Sequence, residues 1–250
     1  MSRLLERLAT GGIGCDEVLA ELDGFPTEKL GFAELDHHRA LRLGHPEAVL
    51  CEGKTTAQLL DICAGLAGRG EGFLATRATD PQLRALRSEF PGIEVSPTGR
   101  IAHLPAKEDT PPNVRGRVLI LTAGTSDLPI AEEARVAARA YGNPVDVRLD
   151  VGVAGLHRIL TLQDELRRAA VIIVAAGMDG ALPSVVAGMV PTPVIALPTS
   201  RGYGAALRGF TPLLTMLTSC APGLTVVNID NGYGAACAAT RINQHLASCD

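Results

Sequence analysis

The second half of the chain consists of short apolar runs that alternate with helical patterns. The five runs are Arg117–Thr122, Val145–Leu149, Val171–Ala175, Pro193–Leu197 and Leu224–Ile229. A repeating strand–helix pattern of this kind is typical of a doubly wound parallel sheet with helices on both of its faces. The pattern therefore predicts an α/β domain with five parallel strands over residues 117–250.

The segments between these runs carry helix signals. Pro129–Tyr141 has helical spacing, with Pro129 in the first turn and Asp127 where its side chain can cap the helix. A second helix is predicted over Leu156–Arg168. Ligands of such sheets bind beyond the carboxyl ends of the strands. We therefore expect the functional site among the glycine-rich turns at those ends.

The first 105 residues have a mixed pattern that predicts a smaller α+β domain. The expected elements are helices over Thr56–Leu66 and Pro81–Phe90, a strand over Gly72–Thr76 and a strand pair within Ile93–Leu104. Residues 106–116 are polar and contain two prolines, which is typical of a linker. The His-His-Arg run at residues 37–39 either binds a carboxylate or phosphate or faces solvent or a subunit partner.

Composition argues against several classes of protein. The net charge of −4 and the pI of about 5.9 argue against a nucleic-acid partner. No apolar run approaches the roughly 20 residues of a membrane-spanning helix, and the first ten residues lack a signal-peptide pattern. The six cysteines include no C-x-x-C pair, so no zinc knuckle or disulfide framework is expected. We therefore expect a cytoplasmic protein with reduced thiols and no membrane partner.

Cys220 is the residue that most strongly suggests a chemical reaction. It lies in the sequence Thr-Ser-Cys-Ala-Pro-Gly at residues 218–223, and further glycine-rich turns occur at residues 123–127 and 176–180. A thiol among such turns suggests covalent catalysis on a phosphate-bearing ligand. The alternative is a small apolar residue in a loop. The sequence Gly-Tyr-Gly-Ala-Ala, which occurs at residues 202–206 and 232–236, either allows close approach to a ligand or only closes turns.

The motifs of the second half resemble those of the PurE family, whose members carboxylate aminoimidazole ribonucleotide in purine biosynthesis. The similarity lies in Gly-Thr-Ser-Asp at residues 124–127, Gly-Leu-His-Arg at 155–158 and the segment 176–183, which ends in Leu-Pro. The resemblance implies a flavodoxin-like strand order. Residues 178–179 and the Ser219–Cys220 pair depart from that family's pattern.

These departures, together with the N-terminal domain, resemble the LarB family, whose members make the first intermediate of the nickel-pincer nucleotide cofactor. The similar segments are residues 36–39, 52–55, 150–158, 177–180 and 219–223, so the resemblance extends over essentially the whole chain. It implies nicotinic acid adenine dinucleotide as substrate, CO2 or bicarbonate as co-substrate and a requirement for Mg²⁺. The implied products are pyridinium-3,5-biscarboxylate mononucleotide and AMP.

The resemblance also implies roles for individual residues. Cys220 would be the nucleophile, and Ser126, Asp127 and His157 are candidates for the base that removes the ring proton. The implied substrate-binding residues are Gly124, Thr125, Gly177, Met178, Asp179, Gly180 and Ser219, and Arg201 is a further candidate from its charge alone. From the residues alone, Asp127 could equally cap a helix and His157 could be an ordinary polar helix residue. Asp179 could close a turn or bind Mg²⁺.

Two other functions remain open from the sequence: an aminoimidazole ribonucleotide carboxylase or mutase, and a non-enzymatic nucleotide-binding protein. Cys220 and the additional N-terminal domain count against the first. A non-enzymatic nucleotide-binding protein would leave the thiol of Cys220, the carboxylate of Asp127 and the imidazole of His157 without a role. Lys107 and Arg201 either pair with phosphates or are solvated charges. The PurE resemblance further implies a closed homo-oligomer, an octamer, with apolar surfaces on the helices at residues 134–140 and 235–239.

Overall fold

The computed structural model describes residues 2–22, 27–43, 45–107 and 114–247. Its N-terminal part contains α1 (Ser2–Ala9), α2 (Cys15–Leu22), β1 (Thr27–Lys29), β2 (Glu34–Asp36), α3 (Arg39–Leu43), β3 (Glu47–Leu50), α4 (Thr56–Gly68), β4 (Phe73–Thr76), α5 (Asp80–Glu89), β5 (Glu94–Ser96) and β6 (Ile101–Leu104). Four strands form a sheet in the order β3-β4-β6-β5, in which β3 and β4 are parallel and the other pairs antiparallel. β1 and β2 form a separate antiparallel pair. The predicted α+β character is confirmed.

The helices α4 and α5 begin close to where the sequence predicts because each starts with a capping box. The Thr55 side chain accepts a hydrogen bond from the Gln58 N–H, and the Gln58 side chain accepts one from the Thr55 N–H. Thr79 and Gln82 repeat this arrangement at the start of α5. Both arrangements satisfy backbone donors that the first helical turn leaves unpaired.

The second part contains β7 (Val118–Thr122), α6 (Leu128–Ala140), β8 (Val145–Arg148), α7 (Leu156–Leu160), α8 (Gln163–Arg168), β9 (Val171–Ala176), α9 (Leu182–Met189), β10 (Val194–Pro198), α10 (Phe210–Leu217), β11 (Leu224–Val226) and α11 (Gly232–Ala247). Its five strands are all parallel, in the order β11-β10-β9-β7-β8. The predicted α/β sheet and its flavodoxin-like order are confirmed. The order reverses between β7 and β9, where ligands of such sheets bind.

Two predicted boundaries in this part are wrong. The single helix expected over Leu156–Arg168 is two helices, α7 and α8, which are separated at Thr161 and Leu162. The Thr161 hydroxyl donates to the Arg158 carbonyl at 2.8 Å, a local bond that competes with continuation of the helix. The last strand ends at Val226, short of the predicted Ile229.

The two parts of the chain pack directly against each other. Side chains alternate along the N-terminal sheet, so Phe73 and Ala75 face α4 and α5, whereas Leu74 and Ile101 face the second domain. These two residues form an apolar cluster with α6 and α11, to which Tyr141 also belongs. The N-terminal sheet is therefore covered on its second face by the other domain.

This packing corrects the predicted surfaces for assembly. The alanines at 134, 137 and 138 of α6 and at 235, 236 and 239 of α11 are buried within the chain. Their small side chains let the two helices lie against each other and against the sheets. The helices at residues 134–140 and 235–239 therefore form part of the interior of the chain, and the exposed large apolar side chains lie elsewhere.

The predicted linker is described at its two ends, because residues 108–113 lie outside the described residues. The Lys107 N–H donates to the Gly70 carbonyl, and the Gly116 N–H donates to the Asn243 side chain. Each described end is thus bonded to the domain beside it. Within the described ranges, no helix is long and apolar enough to cross a membrane.

The contact between the domains leads to a prediction about stability. Leu74 is fully buried in the shared cluster, whereas Leu50 in the adjacent strand β3 is 48% exposed. We expect Leu74→Ala to lower the free energy of unfolding by about 2–5 kcal/mol, because it leaves a cavity between the domains. The matched variant Leu50→Ala should change it by about 0.5 kcal/mol or less. Denaturant titration followed by circular dichroism measures both, and equal losses would contradict this packing.

Candidate active site

Asp127 lies at the centre of the turns that follow β7, β9 and β10. Its Oδ1 accepts a hydrogen bond from the Thr199 hydroxyl at 2.6 Å, and its Oδ2 accepts one from the Gly124 N–H at 2.9 Å. The residue is buried, and burial raises the pKa of its carboxyl group. The hydrogen bonds from Thr199, Gly124 and Gly177 and the charge of Arg201 lower that pKa, but burial outweighs them.

These contacts correct one prediction from the sequence. Asp127 precedes α6, but its side chain makes no capping hydrogen bond to that helix. The carboxylate instead turns back to the Gly124 N–H and across to Thr199. The carboxylate therefore joins the end of β7 to the end of β10 and does not cap α6.

The turn after β9 is packed against the turn after β10. A Cβ atom on Gly177 would lie 2.0 Å from the Arg201 carbonyl oxygen, so only glycine fits there without movement of the backbone. The next residue, Met178, donates its N–H to the same carbonyl at 3.0 Å and has a φ of +53°. A left-handed conformation is unfavourable for a methionine and is typical of functional sites. Met178 is 45% exposed, and a Cβ atom on Gly202 would lie 3.1 Å from its sulfur, so its side chain lies against the turn after β10.

Asp179 and Arg201 complete this surface. The Asp179 carboxylate accepts a hydrogen bond from the Ala181 N–H at 3.2 Å, so it closes the turn, one of its two predicted roles. Both side chains are exposed. The Arg201 backbone N–H donates to the Thr199 hydroxyl at 3.4 Å, and the charge of the Arg201 side chain lowers the pKa of Asp127. The structure therefore brings together an acid, a cation and a strained turn.

The remaining candidates from the first turns lie next to this centre. Thr125 and Ser126 are exposed in the same turn as Asp127. His157 is exposed in α7, which follows the β8 turn. That turn is held against β7, because the Asp150 N–H donates to the Thr122 hydroxyl at 3.0 Å. The structure thus positions the His157 helix beside the Asp127 turn, and no hydrogen bond between the two side chains occurs among the described residues.

Cys220 occupies a different place from the one predicted. The 218–223 segment runs from the end of α10 to the start of β11, so it precedes a strand and does not follow one. The Ser184 hydroxyl donates a hydrogen bond to the Ser219 hydroxyl at 2.8 Å, which places the segment beside the first turn of α9. α9 begins directly after the Gly177–Gly180 turn, so the thiol segment and the glycine-rich turn are neighbours through this helix. The Cys220 side chain is exposed.

The other described cysteines are less suited to nucleophilic chemistry. Burial raises the pKa of the Cys51 thiol to about 12 and also raises the pKa values of Cys63 and Cys237. A buried thiol with a raised pKa is a poor nucleophile, because the thiolate is the reactive form. Cys15 is exposed but lies in α2, outside the glycine-rich turns. Cys220 is therefore the described cysteine that combines exposure with these turns.

The described part of the chain offers few protein ligands for a magnesium ion. No group of three or more His, Cys, Asp or Glu side chains there is arranged to hold a metal ion. Mg²⁺ is commonly bound through one or two carboxylates together with substrate phosphates. The exposed carboxylate of Asp179 fits such a minimal arrangement as a single ligand.

Thr199 is the functional candidate that the sequence analysis missed. It is fully buried at the end of β10 and donates the shortest hydrogen bond to Asp127. Its position directly after the apolar run of β10 was the available signal, because residues at that point line the ligand side of the sheet. The partner of its hydroxyl lies 72 residues earlier, and no local pattern identifies such a contact.

Comparison with known proteins gives the family. Residues 27–106 match the model described as LarB/PurE-like N-terminal domain, and residues 117–247 match the AIR carboxylase model. The chain therefore belongs to the AIR carboxylase family and has the two-domain architecture of its LarB members.

The chain is also similar to individual proteins and to a solved structure. An uncharacterised protein of Methanocaldococcus jannaschii is 38% identical over 246 residues, which cover 93% of this chain and 92% of that protein. N5-carboxyaminoimidazole ribonucleotide mutase of the same organism is 37% identical over 130 residues, 50% of this chain and 77% of the mutase. The crystal structure of Treponema denticola PurE aligns with a TM-score of 0.41 and 18% identity, over 54% of this chain and 93% of that one.

The contact of Gly177 with Arg201 gives a prediction for the site. Gly177→Ala places a methyl group against the Arg201 carbonyl, so we expect a loss of about 1–3 kcal/mol in stability and weaker binding of any ligand at this turn. Gly188 in α9 is the matched control, because a Cβ there meets nothing within 4 Å. Gly188→Ala should raise stability by about 0.5–1 kcal/mol, since alanine favours helix. Thermal unfolding of both variants measures the difference, and a stable Gly177→Ala protein would contradict the close approach.

Proposed function

We propose that the protein carboxylates the pyridinium ring of nicotinic acid adenine dinucleotide and hydrolyses its phosphoanhydride. The products would be pyridinium-3,5-biscarboxylate mononucleotide and AMP. The observation that carries the proposal is an exposed thiol, Cys220, on an AIR carboxylase scaffold, in a segment that contacts the helix following the Gly177–Gly180 turn. The LarB-type N-terminal domain supports the same assignment.

A thiol is needed because of the electronic character of the ring. Aminoimidazole ribonucleotide is already an enamine, so its carbon can attack CO2 without a nucleophile from the protein. A pyridinium ring is electron-poor and cannot. Addition of the Cys220 thiolate to the carbon beside the ring nitrogen moves an electron pair onto that nitrogen. The resulting enamine has a nucleophilic β-carbon, as covalent catalysis requires.

The remaining steps restore the aromatic ring. The β-carbon forms a bond to CO2, and the ring becomes an iminium ion. A base then removes the proton from the newly carboxylated carbon, and the carbon–sulfur bond breaks with departure of the thiolate. The net change is the replacement of one ring hydrogen by a carboxylate with release of one proton. The phosphoanhydride is cleaved by water in a separate step.

Asp127 is our candidate for the base, with Ser126 beside it and His157 as the alternative. A carboxyl group whose pKa is raised by burial is a stronger base than an exposed aspartate. The Thr199 and Gly124 hydrogen bonds leave the carboxylate in a fixed orientation. Asp127 acts as a base only when deprotonated, so its function is lost as the pH falls through its pKa.

The substrate's phosphates would be held by the turns after β9 and β10. Arg201 supplies a charge near the glycine-rich turn formed by Gly177, Met178 and Gly180. Asp179 would hold Mg²⁺ together with the pyrophosphate oxygens, and the metal would neutralise the charge of the anhydride. Thr125, in the turn after β7, and Ser219, which contacts Ser184 of α9, would add hydroxyl donors.

The second candidate function is that of an aminoimidazole ribonucleotide carboxylase or mutase, because half of the chain is 37% identical to N5-carboxyaminoimidazole ribonucleotide mutase. A carboxylase of the imidazole ring has no use for a thiol nucleophile. The two proposals therefore differ in their response to the loss of Cys220.

The Cys220 variants test this difference. We expect Cys220→Ala and Cys220→Ser to abolish formation of the dicarboxylated pyridinium product, because no enamine can form, while the melting temperature is unchanged. Cys15→Ala, at the other exposed and described cysteine, is the matched control and should be fully active. Wild-type and variant proteins are incubated with nicotinic acid adenine dinucleotide or aminoimidazole ribonucleotide, each with bicarbonate, and the products are analysed by mass. Carboxylation of the imidazole alone, equal in Cys220→Ala, would favour the aminoimidazole ribonucleotide carboxylase or mutase.

Asp127 variants test the base. Asp127→Asn retains a carbonyl acceptor for the Gly124 N–H, so the fold should be kept while turnover falls by roughly 10²–10⁴-fold. Asp127→Ala should additionally lose roughly 1–3 kcal/mol of stability, since it leaves buried donors unpaired.

In wild type, the acid limb of the kcat/KM profile should lie above the ordinary aspartate pKa of 3.8. Thr199→Val should move this limb to higher pH, because the Thr199 hydrogen bond lowers that pKa. Near-normal turnover in Asp127→Asn would exclude Asp127 and favour His157.

We also propose that the protein is a homo-oligomer, with the octamer of the PurE type as the expected form. Support comes from large apolar side chains that are exposed along α10 and the segment before it: Tyr203, Leu207, Phe210, Leu214 and Leu217. A contiguous exposed apolar surface is typical of a protein interface. Light scattering should therefore give an oligomer at micromolar concentration, and Leu214→Glu should dissociate it, whereas Leu50→Glu should not. A wild-type monomer would contradict the proposal.

A further inference from the structure

The N-terminal domain contacts the loop that supports the candidate active site, through Arg77. This residue directly follows β4, and its Nη2 donates to the main-chain carbonyl of Asp230 at 2.8 Å. Asp230 belongs to the loop between β11 and α11. The hydrogen bond joins residues 153 positions apart and crosses from one domain to the other.

Asp230 in turn fixes the backbone at the end of β10 and directly after it. Its N–H donates to the Pro198 carbonyl at 2.9 Å, and its Oδ1 accepts the Ser200 N–H at 2.8 Å. These two bonds span Thr199, the residue whose hydroxyl donates to Asp127. Asp230 has a φ of +54°, so the loop is held in a left-handed conformation that the surrounding contacts must stabilise.

Arg77 is itself fixed by its own domain. It also has a left-handed φ, of +55°, and its carbonyl accepts a hydrogen bond from the Arg100 guanidinium at 3.1 Å. Its Nη1 lies 3.6 Å from the Glu52 carboxylate, in the segment that the LarB resemblance singled out. The Arg77 charge also lowers the pKa of Glu133, a carboxyl group of α6 whose pKa burial raises. A rigid N-terminal element therefore presents this guanidinium to the second domain.

We propose that Arg77 is a positioning residue, through which the N-terminal domain fixes Asp230 and thereby the Thr199–Arg201 segment against Asp127 and Met178. The inference rests on the proposed function only for its activity readout. It assigns a role to the N-terminal domain in a protein whose reacting groups all lie in the second domain. Removal of the guanidinium should make the Thr199–Arg201 segment more mobile while the sheet stays folded.

The variant Arg77→Asn tests this without backbone strain, because asparagine tolerates a left-handed φ. Amide hydrogen exchange should become roughly 2- to 10-fold faster in peptides that cover residues 177–180 and 199–202, as expected for the loss of one supporting hydrogen bond. Arg77→Lys should partly restore protection. The matched control is Arg84→Asn on the exposed surface of α5, which should leave both peptides unchanged.

The activity readout separates positioning from a purely structural role. In Arg77→Asn, a loosened Thr199 should raise the pKa of Asp127, so the acid limb of the kcat/KM profile should move to higher pH. A purely structural Arg77 would lower the melting temperature without moving that limb. If the wild type shows no turnover of nicotinic acid adenine dinucleotide, the proposed function fails, but hydrogen exchange still decides the positioning role. Unchanged exchange at residues 199–202 in both Arg77→Asn and Arg77→Lys would overturn it.

Discussion

The hydrogen bond between Thr199 and Asp127 is the interaction on which the candidate site depends. It joins the end of β10 to the turn after β7, across the point where the strand order reverses. The same carboxylate holds Gly124, and the same threonine lies beside the Arg201 and Gly177 contact. A buried carboxylate is tolerated there because three hydrogen bonds and a nearby cation offset part of its desolvation. The acid is therefore both a structural junction and a group with an altered proton affinity.

The N-terminal domain extends this junction. It covers α6 and α11 through Leu74 and Ile101, and it reaches the Asp230 loop through Arg77. Each contact constrains an element that leads to the site. An added domain can thus act on a reaction without a residue that touches the substrate, by limiting the positions that the turns can take.

Much of the fold could be predicted from the sequence because its signals are local. The buried strands β7, β9 and β10 are continuous apolar runs, and the capping boxes at Thr55 and Thr79 define helix starts. The site was harder to predict. Asp127 has the position of a helix cap, but its partners come from tertiary contacts, and the segment of Cys220 precedes a strand and contacts α9 through Ser219. Such contacts depend on how distant elements pack, which a single sequence does not encode as a local pattern.

The proposed reaction requires that Cys220 form a covalent bond to the pyridinium ring. The most direct measurement is intact-protein mass spectrometry after mixing with nicotinic acid adenine dinucleotide, with and without bicarbonate, followed by peptide mapping. We expect one added nucleotide on the peptide that contains Cys220, more abundant without bicarbonate because the enamine then has no CO2 to attack. Dicarboxylated product that accumulates while Cys220 stays unmodified at every time point would contradict it.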